Sequence, residues 1–129
     1  MRGKLPLALS AMVLLLFGCL SSNNPPVDVA MFSGTYNSSY VGPYPLLKGN
    51  ATVELTYNTS SPSLLFVEMH RDVNKDGKPG DGDGTIAVIS NKNYDVGVHS
   101  IKSNVSIGVP GPYYFVVRSN GSWKILVKQ

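Results

Sequence analysis

The chain has 129 residues, which is enough for one modest domain, and its single cysteine excludes an internal disulfide. Its formal net charge of +3 overstates how basic the protein is, because Arg2 and Lys4 lie in an N-terminal segment that we expect to be removed. Nine Lys and Arg residues then stand against eight Asp and Glu residues without forming a basic stripe, which excludes a typical nucleic-acid-binding domain.

The N-terminal segment has the organisation of a signal peptide. Arg2 and Lys4 provide a short positive region, and residues 5–17 form an uncharged run rich in Leu, Val, Met and Ala. A run of this length suits the apolar part of a signal peptide and is shorter than the roughly 20 residues needed to span a bilayer. We therefore predict a signal peptide over residues 1–18, with the remaining chain carried outward across the membrane.

The apolar run ends in Leu16-Phe17-Gly18-Cys19. This segment resembles the lipobox of prokaryotic lipoproteins, which has an aliphatic residue three before the cysteine and a small residue directly before it. The resemblance implies cleavage before Cys19, a thioether link from its sulfur to diacylglycerol, and a protein held on the extracytoplasmic face of the cell membrane. Two acyl chains meet the condition for stable anchoring. The alternative is an uncleaved signal anchor in which Cys19 is an ordinary apolar side chain.

Beyond the cysteine, we predict a lipidated N-terminus and flexible tether over residues 19–31 and one domain over residues 32–129. From Phe32 onward apolar residues recur with a period of two, which indicates β-strands. Short strands separated by Gly, Pro and Asn turns predict an all-β antiparallel sandwich or barrel. The candidate strands are residues 51–57, 63–69, 85–89, 94–98, 105–109, 113–118 and 123–128.

Five asparagines stand in N-x-[ST] sequons, which are acceptor sites for N-glycosylation on exposed surfaces. A surface rich in Ser and Asn also produces such matches by chance, and this alternative stays open. A lipobox combined with N-glycosylation favours an archaeal source. The candidate glycosylation sites are Asn37, Asn50, Asn58, Asn104 and Asn120.

The most distinctive chemical motif is the acidic, glycine-rich segment of residues 72–83. Calcium takes six to eight oxygen ligands, so its sites need several carboxylates on a tightly folded backbone. The segment resembles the EF-hand-type loop D-x-[DN]-x-D-G, with Gly77 at the sharp turn. The resemblance implies a structural calcium site whose ligands at positions one, three, five, seven (through its carbonyl) and twelve are Asp72, Asn74, Asp76, Lys78 and Asp83.

Three features depart from the EF-hand pattern. Position twelve is Asp83 where the pattern has Glu, position eight is Pro79, and the flanking segments are predicted strands. Asp81 is a candidate substitute for a missing ligand. The alternative is a solvated turn between two strands, because Asp, Gly, Asn and Lys are also ordinary turn residues.

The last two strands are predicted to form a hairpin. A three-residue loop, Ser119-Asn120-Gly121, pairs Val117 with Trp123, whereas a two-residue loop shifts the pairing by one. We prefer the three-residue loop because register is fixed wherever one face of a sheet is buried. It places on one side the six large apolar residues Tyr113, Phe115, Val117, Trp123, Ile125 and Val127.

Three stretches of the mature chain resemble small prokaryotic β-sandwich domains: Phe32-Ser-Gly-Thr-Tyr36, residues 111–117 and residues 121–127. In the prepeptidase C-terminal-like modules of secreted proteins, a "G-x-Y" strand likewise leads into a "G-x-W-x-[VI]" strand. The resemblance implies a jelly-roll-like antiparallel sandwich with an ancillary role beside other proteins.

We expect a non-catalytic envelope lipoprotein whose sandwich binds a partner protein or a glycan, or contributes to the cell surface. The alternative is a membrane-displayed carbohydrate-binding module that uses Tyr36, Tyr40 and Tyr44 with a calcium-stiffened loop; a small hydrolase or inhibitor ranks last. The two histidines, His70 and His99, lie at separate strand positions with no spacing typical of a catalytic or zinc site.

Overall fold

A computed structural model describes residues 25–80 and 82–129. The predicted signal peptide (residues 1–18) and the lipidation site Cys19 lie outside the described residues, as does Asp81. The first strand begins at Asp28, four residues before the predicted domain start at Phe32. The segment between Cys19 and the folded domain is therefore shorter than the predicted tether.

The described chain folds into eight β-strands. Side chains alternate between buried and exposed along most of them, as expected for strands that cover a core with one face. Residues 25–80 and 82–129 contain no helix long and apolar enough to cross a membrane. The strands are β1 Asp28–Gly34, β2 Ser38–Leu46, β3 Gly49–Thr59, β4 Ser63–Arg71, β5 Thr85–Tyr94, β6 Gly97–Ile107, β7 Gly111–Ser119 and β8 Ser122–Lys128.

The strands form two four-stranded antiparallel sheets packed face to face. The first sheet has the order β1-β8-β3-β6 and the second sheet has the order β2-β7-β4-β5. Among the described strands, only β4 and β5 are both consecutive in the chain and paired in one sheet. This is the jelly-roll arrangement, which confirms the predicted all-β antiparallel sandwich.

The core lies between the inner faces of the two sheets. Tyr44 from β2 stacks on Phe115 from β7, with ring centroids 5.1 Å apart, and Phe32 from the first sheet packs against Tyr44 at 5.8 Å. Fully burying one large apolar side chain stabilises a fold by about 1.5–3 kcal/mol. The largest fully buried side chains are those of Tyr57, Tyr113, Phe115, Leu46, Leu55, Leu65, Met69, Ile107, Ile125, Val53, Val67 and Val117.

The predicted hairpin of the last two strands is wrong. β7 pairs with β2 and β4 in the second sheet, whereas β8 pairs with β1 and β3 in the first sheet. The loop at residues 119–121 crosses the core as an arch, closed by the hydroxyl of Ser119, which accepts from the Gly121 N–H at 3.0 Å. The six apolar residues of these strands do face the core, but from opposite sheets. Alternation determines which face is buried and does not determine the partner strand.

The predicted strand over residues 94–98 is also divided. β5 ends at Tyr94 and β6 begins at Gly97, so the chain passes from the second sheet to the first at residues 95–96. Gly97 has a φ of 124°, a backbone conformation that side-chain-bearing residues rarely adopt. Gly97 therefore permits the chain to change direction between the sheets, which the alternation of polar and apolar residues did not indicate.

The two ends of the sandwich carry different connections. The end that we call the base holds both termini of the described domain, the β2–β3 turn (residues 47–48), the β6–β7 loop (108–110) and the long β4–β5 loop (72–84). The register places these together, because Leu46 pairs with Gly111, Gly49 with Ile107 and Asp28 with Lys128. The other end, the apex, holds the connections at residues 35–37, 60–62, 95–96 and 120–121.

Candidate calcium-binding loop

The acidic segment forms the β4–β5 loop at the base of the sandwich. Its two ends are joined where the Arg71 N–H donates to the Gly84 carbonyl at 3.1 Å. The Asp72 N–H donates to the Pro112 carbonyl at 3.0 Å, which fixes the start of the loop against β7. The loop therefore begins from a backbone position held by two neighbouring segments.

Asp72 is the buried residue of the loop, with only 1% of its surface exposed. Its Oδ2 accepts a hydrogen bond from the Gly77 N–H at 2.9 Å, and its carbonyl accepts from the Lys75 N–H at 3.2 Å. Its Oδ1 is buried and has no hydrogen-bond partner among the described residues. Burying a carboxylate oxygen without a partner is costly, and a cation or a hydrogen-bond donor beside it would offset that cost.

The loop turns sharply at the predicted place. Lys75 and Gly77 both have left-handed backbone conformations, with φ values of 56° and 78°. Gly77 stands at position six of the calcium-loop resemblance, where a sharp turn is required. The turn directs the Gly77 N–H back to the Asp72 carboxylate.

Asp83 closes the loop from its other side. Its Oδ1 accepts from the Val73 N–H at 2.8 Å, and its Oδ2 accepts from the Gly80 N–H at 3.1 Å. The Tyr114 hydroxyl lies 3.4 Å from the same Oδ2. The side chain at position twelve thus holds the two halves of the loop together through backbone amides.

Asn74 and Asp76 come together beside Gly80. The Asn74 Nδ2 and the Asp76 Oδ2 lie 3.8 Å and 3.9 Å from the point that a Cβ on Gly80 would occupy. The Asp76 Oδ1 accepts from the Lys78 N–H at 3.2 Å, and the Lys78 side chain is exposed. Both distances are ordinary van der Waals contacts, so a Cβ at Gly80 would fit beside these two side chains.

Two tyrosine rings in tilted contact lie beneath the loop on the outer face of the second sheet. The rings of Tyr40 and Tyr114 are 5.0 Å apart. Burial, followed by the charge and hydrogen bond of Asp83, raises the pKa of Tyr114 to about 12. Burial also raises the pKa of Tyr40, with further contributions from the charges of Asp72, Asp76 and Asp83. The negative potential of three carboxylates therefore acts on one tyrosine pair.

Tyr114 was not among the site residues predicted from the sequence, and Tyr40 was considered only for sugar stacking. Tyr113 and Tyr114 are adjacent in β7, so one ring necessarily faces the core and the other faces outward. Tyr114 is nonetheless buried, because Tyr40 and the stacked ring of His70, 5.2 Å away, cover it. A buried aromatic residue on an outer face indicates neighbouring side chains that cover it, which alternation alone does not reveal.

The donor chemistry of the loop fits calcium, which prefers carboxylate, amide and carbonyl oxygens. Among the residues that the structure describes, no group of three or more His, Cys, Asp and Glu side chains is placed to hold a metal ion as it stands. Asp76 and Asp83 accept backbone N–H groups, whereas the Asp72 Oδ1 has no partner within residues 25–80 and 82–129. An ion bound in this loop would therefore contact the Asp72 Oδ1.

The five candidate glycosylation sites are all exposed. Asn50, Asn58 and Asn104 lie on the outer face of the first sheet, where the Thr52 hydroxyl donates to the Asn104 Oδ1 at 3.2 Å. Asn37 and Asn120 lie in connections at the apex. The Asn37 Oδ1 accepts from the Ser119 N–H at 2.7 Å, which ties these two apical connections together.

The residues considered for other functions are not brought together. Tyr44 is buried in the core, and the hydroxyl of Tyr40 is buried, so only Tyr36 of the three tyrosines considered for sugar stacking has a fully exposed ring. His70 lies in the second sheet, 3.0 Å from the Glu68 carboxylate, and His99 lies in the first sheet beside the Asp95 carbonyl.

Comparison with known proteins gives no match: no protein-family model, no curated protein and no solved structure is significantly similar to this chain. The properties of the loop therefore follow from its own geometry and from the place of the domain after Cys19 in the sequence.

Proposed function

We propose that this protein is an exported lipoprotein, held on the extracytoplasmic face of the cell membrane by lipid on Cys19, with a non-catalytic sandwich domain whose β4–β5 loop binds calcium. The sequence before Asp28 supports the anchor, because the uncharged run leads directly to Gly18-Cys19. The domain serves to bind an envelope protein or a surface glycan, or to contribute structure to the cell surface.

The single observation that carries the calcium proposal is the buried Asp72 carboxylate with its unpartnered Oδ1. A divalent cation beside this oxygen would offset the cost of burying the charge. Calcium accepts irregular coordination by six to eight oxygens, which suits a loop of carboxylates, amides and carbonyls. The ligands in this proposal are Asp72, Asn74, Asp76, the Lys78 carbonyl and Asp83.

The role of the ion is structural. The loop at residues 72–84 is the longest connection between described strands, and ordering each residue of such a loop costs about 1–2 kcal/mol of conformational entropy. An ion bound to Asp72 and Asp76 joins the first half of the loop, and Asp83 already joins that half to the second. Calcium would therefore stiffen the base of the sandwich.

The test is the thermal unfolding of the exported domain in calcium and in EGTA. We expect calcium to raise the Tm of the unmodified domain, since a ligand that binds only the folded state stabilises it. Asp76→Asn should reduce this rise strongly. Asp95→Asn, an exposed carboxylate at the apex, is the matched control and should leave it intact. A Tm that does not respond to calcium would contradict the proposal.

The anchor has a separate test. Mass spectrometry of the protein purified from membranes should show the chain beginning at Cys19 with a diacylglycerol attached. Cys19→Ser should release the domain into the soluble exported fraction. Retention of the leader with an unmodified thiol would support the uncleaved signal anchor instead.

A further inference from the structure

Both chain termini of the described domain meet at the base. The Gln129 N–H donates to the Val27 carbonyl at 3.0 Å, and the Gln129 side chain bonds both backbone groups of Leu47, at 2.8 Å and 2.7 Å. The chain that leads back to Cys19 therefore leaves the sandwich beside the β2–β3 turn. The β4–β5 loop starts from the same end, because Asp72 is bonded to Pro112 near the start of β7.

Apolar side chains project from this end. Leu47 is 71% exposed at the tip of the β2–β3 turn, and Val27 is 66% exposed next to it. Val73 and Val109 are exposed in the two neighbouring loops. A cleft of about 290 Å³ lies beside Leu47 and Val27. It is lined by Val27, Val29, Pro45, Leu46, Leu47 and Gln129. Because the Leu47 backbone is fully bonded, its side chain is presented to the outside from a fixed position.

The base presents exposed lysine side chains to its surroundings. Lys48, Lys75 and Lys78 are exposed, whereas Asp72 is buried and Asp83 is half-buried against backbone amides. Among the described residues of this end, the exposed carboxylate side chains are those of Asp28 and Asp76. A Lys side chain near an anionic bilayer is attracted to it, and its long stem lets the ammonium reach the headgroups.

The length of the chain between Cys19 and β1 limits how the domain can be oriented. Residues 20–27 separate Cys19 from β1, and a chain of this length spans at most about 30 Å. β3 and β6, with 11 residues each, extend over about 37 Å at about 3.4 Å per residue. An inverted domain with its apex on the membrane would need a longer tether.

We infer that the base of the sandwich rests on the bilayer that holds the anchor, with Leu47, Val27 and Val109 in the interfacial region and Lys48 on lipid phosphates. The occupant of this apolar surface is therefore the membrane itself. The inference rests on the proposed lipidation of Cys19, which brings the base to the lipid surface, and it adds a second, reversible contact to the covalent one. The apex and both sheet faces remain turned toward the cell's surroundings.

The test uses the full lipidated protein reconstituted into phosphatidylcholine–phosphatidylglycerol vesicles. Spin labels are placed on Leu47→Cys at the base and, as the matched control, on Ser60→Cys at the apex; both positions are exposed. Power saturation then compares access of oxygen, which concentrates in acyl chains, with access of a water-soluble nickel chelate. We expect the Leu47 label to favour oxygen several-fold more than the Ser60 label does. A label on Val109→Cys should behave like the one at Leu47.

Equal access of the nickel chelate to the labels at Leu47 and Ser60 would overturn the inference. Mass spectrometry of the same sample separates this outcome from failure of the proposed function. A diacylglycerol on Cys19 together with a water-exposed Leu47 label means that the anchor is present and the base does not touch the membrane. An unmodified Cys19 means that the lipoprotein proposal itself is wrong, and the inference fails with it.

Discussion

The apex and the base of the sandwich differ in how they connect strands: the apical connections are short, whereas the base carries one long loop. At the apex, short connections pack closely: the Trp123 indole N–H donates to the Tyr36 carbonyl at 3.1 Å, and the Tyr57 hydroxyl lies 2.7 Å from the Ser63 hydroxyl. At the base, the long β4–β5 loop contains a buried carboxylate oxygen, the Asp72 Oδ1, that has no hydrogen-bond partner among the described residues. The connections at the apex are therefore joined by their own hydrogen bonds, whereas the loop at the base is the proposed place for an ion.

The largest expected effect is at the apex, where Trp123→Ala would remove the ring that covers the end of the core. Trp123 is buried, and its loss should lower the free energy of unfolding by about 3–5 kcal/mol, as large-to-small core substitutions do. Urea denaturation measures this. The control is Val109→Ala at the base, an exposed position that should change stability by less than about 0.5 kcal/mol. Similar losses for the two variants would remove the distinction between the ends.

A smaller effect is expected for Gly121→Ala in the β7–β8 arch. A Cβ at this position would lie 2.4 Å from the Asn58 carbonyl oxygen and 3.0 Å from the Tyr57 ring, so backbone must move. We expect a loss of about 1–3 kcal/mol in urea denaturation. Gly108→Ala in the β6–β7 loop is the matched control, because a Cβ there meets nothing within 4 Å. A neutral Gly121→Ala would show that the arch is not tightly packed.

The third prediction concerns the base. In EGTA, Asp72→Asn should change the free energy of unfolding by less than about 1 kcal/mol, because the amide keeps an acceptor for the Gly77 N–H while removing a buried charge. In calcium, the same variant should lose the stabilisation that the unmodified domain gains. Calorimetry in both buffers measures the two effects. A variant that is strongly destabilised without calcium would mean that Asp72 serves the loop rather than an ion.

The smallest effect is in the titration of two tyrosines. Burial raises the pKa of Tyr57 at the apex, but hydrogen bonds from Ser63, Thr59 and Ser119 bring that pKa below its ordinary value of 10.0. Burial and Asp83 instead raise the pKa of Tyr114 at the base to about 12. NMR of labelled tyrosine should therefore show Tyr57 ionising first. If both phenols titrated together, the different electrostatic environments of the two ends would be contradicted.

The raised pKa of Tyr114 also makes the stability of the domain depend on pH at high pH. The unfolded chain releases the Tyr114 proton near pH 10, whereas the folded chain holds it to about pH 12, so stability falls as pH rises through this interval. The slope from this one group is at most about 1.4 kcal/mol per pH unit. Tyr114→Phe should make the pH dependence of urea unfolding shallower. Calcium should lower the pKa of Tyr114 by offsetting nearby carboxylates.

The sequence revealed the faces of the strands more fully than their partners. Alternation identified Phe115, Ile125 and Val127 as inward-facing, and all three are buried. It could not show that β7 and β8 belong to different sheets, because a tight hairpin and an arch across the core bury the same residues. Local sequence specifies a period of two, and the pairing depends on contacts between strands distant in the chain.

The sequence likewise predicted some features of the β4–β5 loop and not others. Spacing located the sharp turn at Gly77, which the structure confirms by its positive φ. Spacing could not show that Asp83 bonds the amides of Val73 and Gly80, since this depends on how the loop folds back on itself. The backbone hydrogen bond that holds Asp72 is accepted by Pro112, in a strand far along the chain.

The hydrogen bond between Gln129 and Val27 holds the two ends of the described domain close enough for circular permutation. The first and last strands are neighbours, β1 beside β8, so a short peptide could join the described ends without disturbing either sheet. The chain could then be opened at Asn120, an exposed position in a connection far from the junction. A circular permutant made in this way should reach the same eight-stranded arrangement, because the jelly roll depends on which strands are neighbours and not on where translation starts.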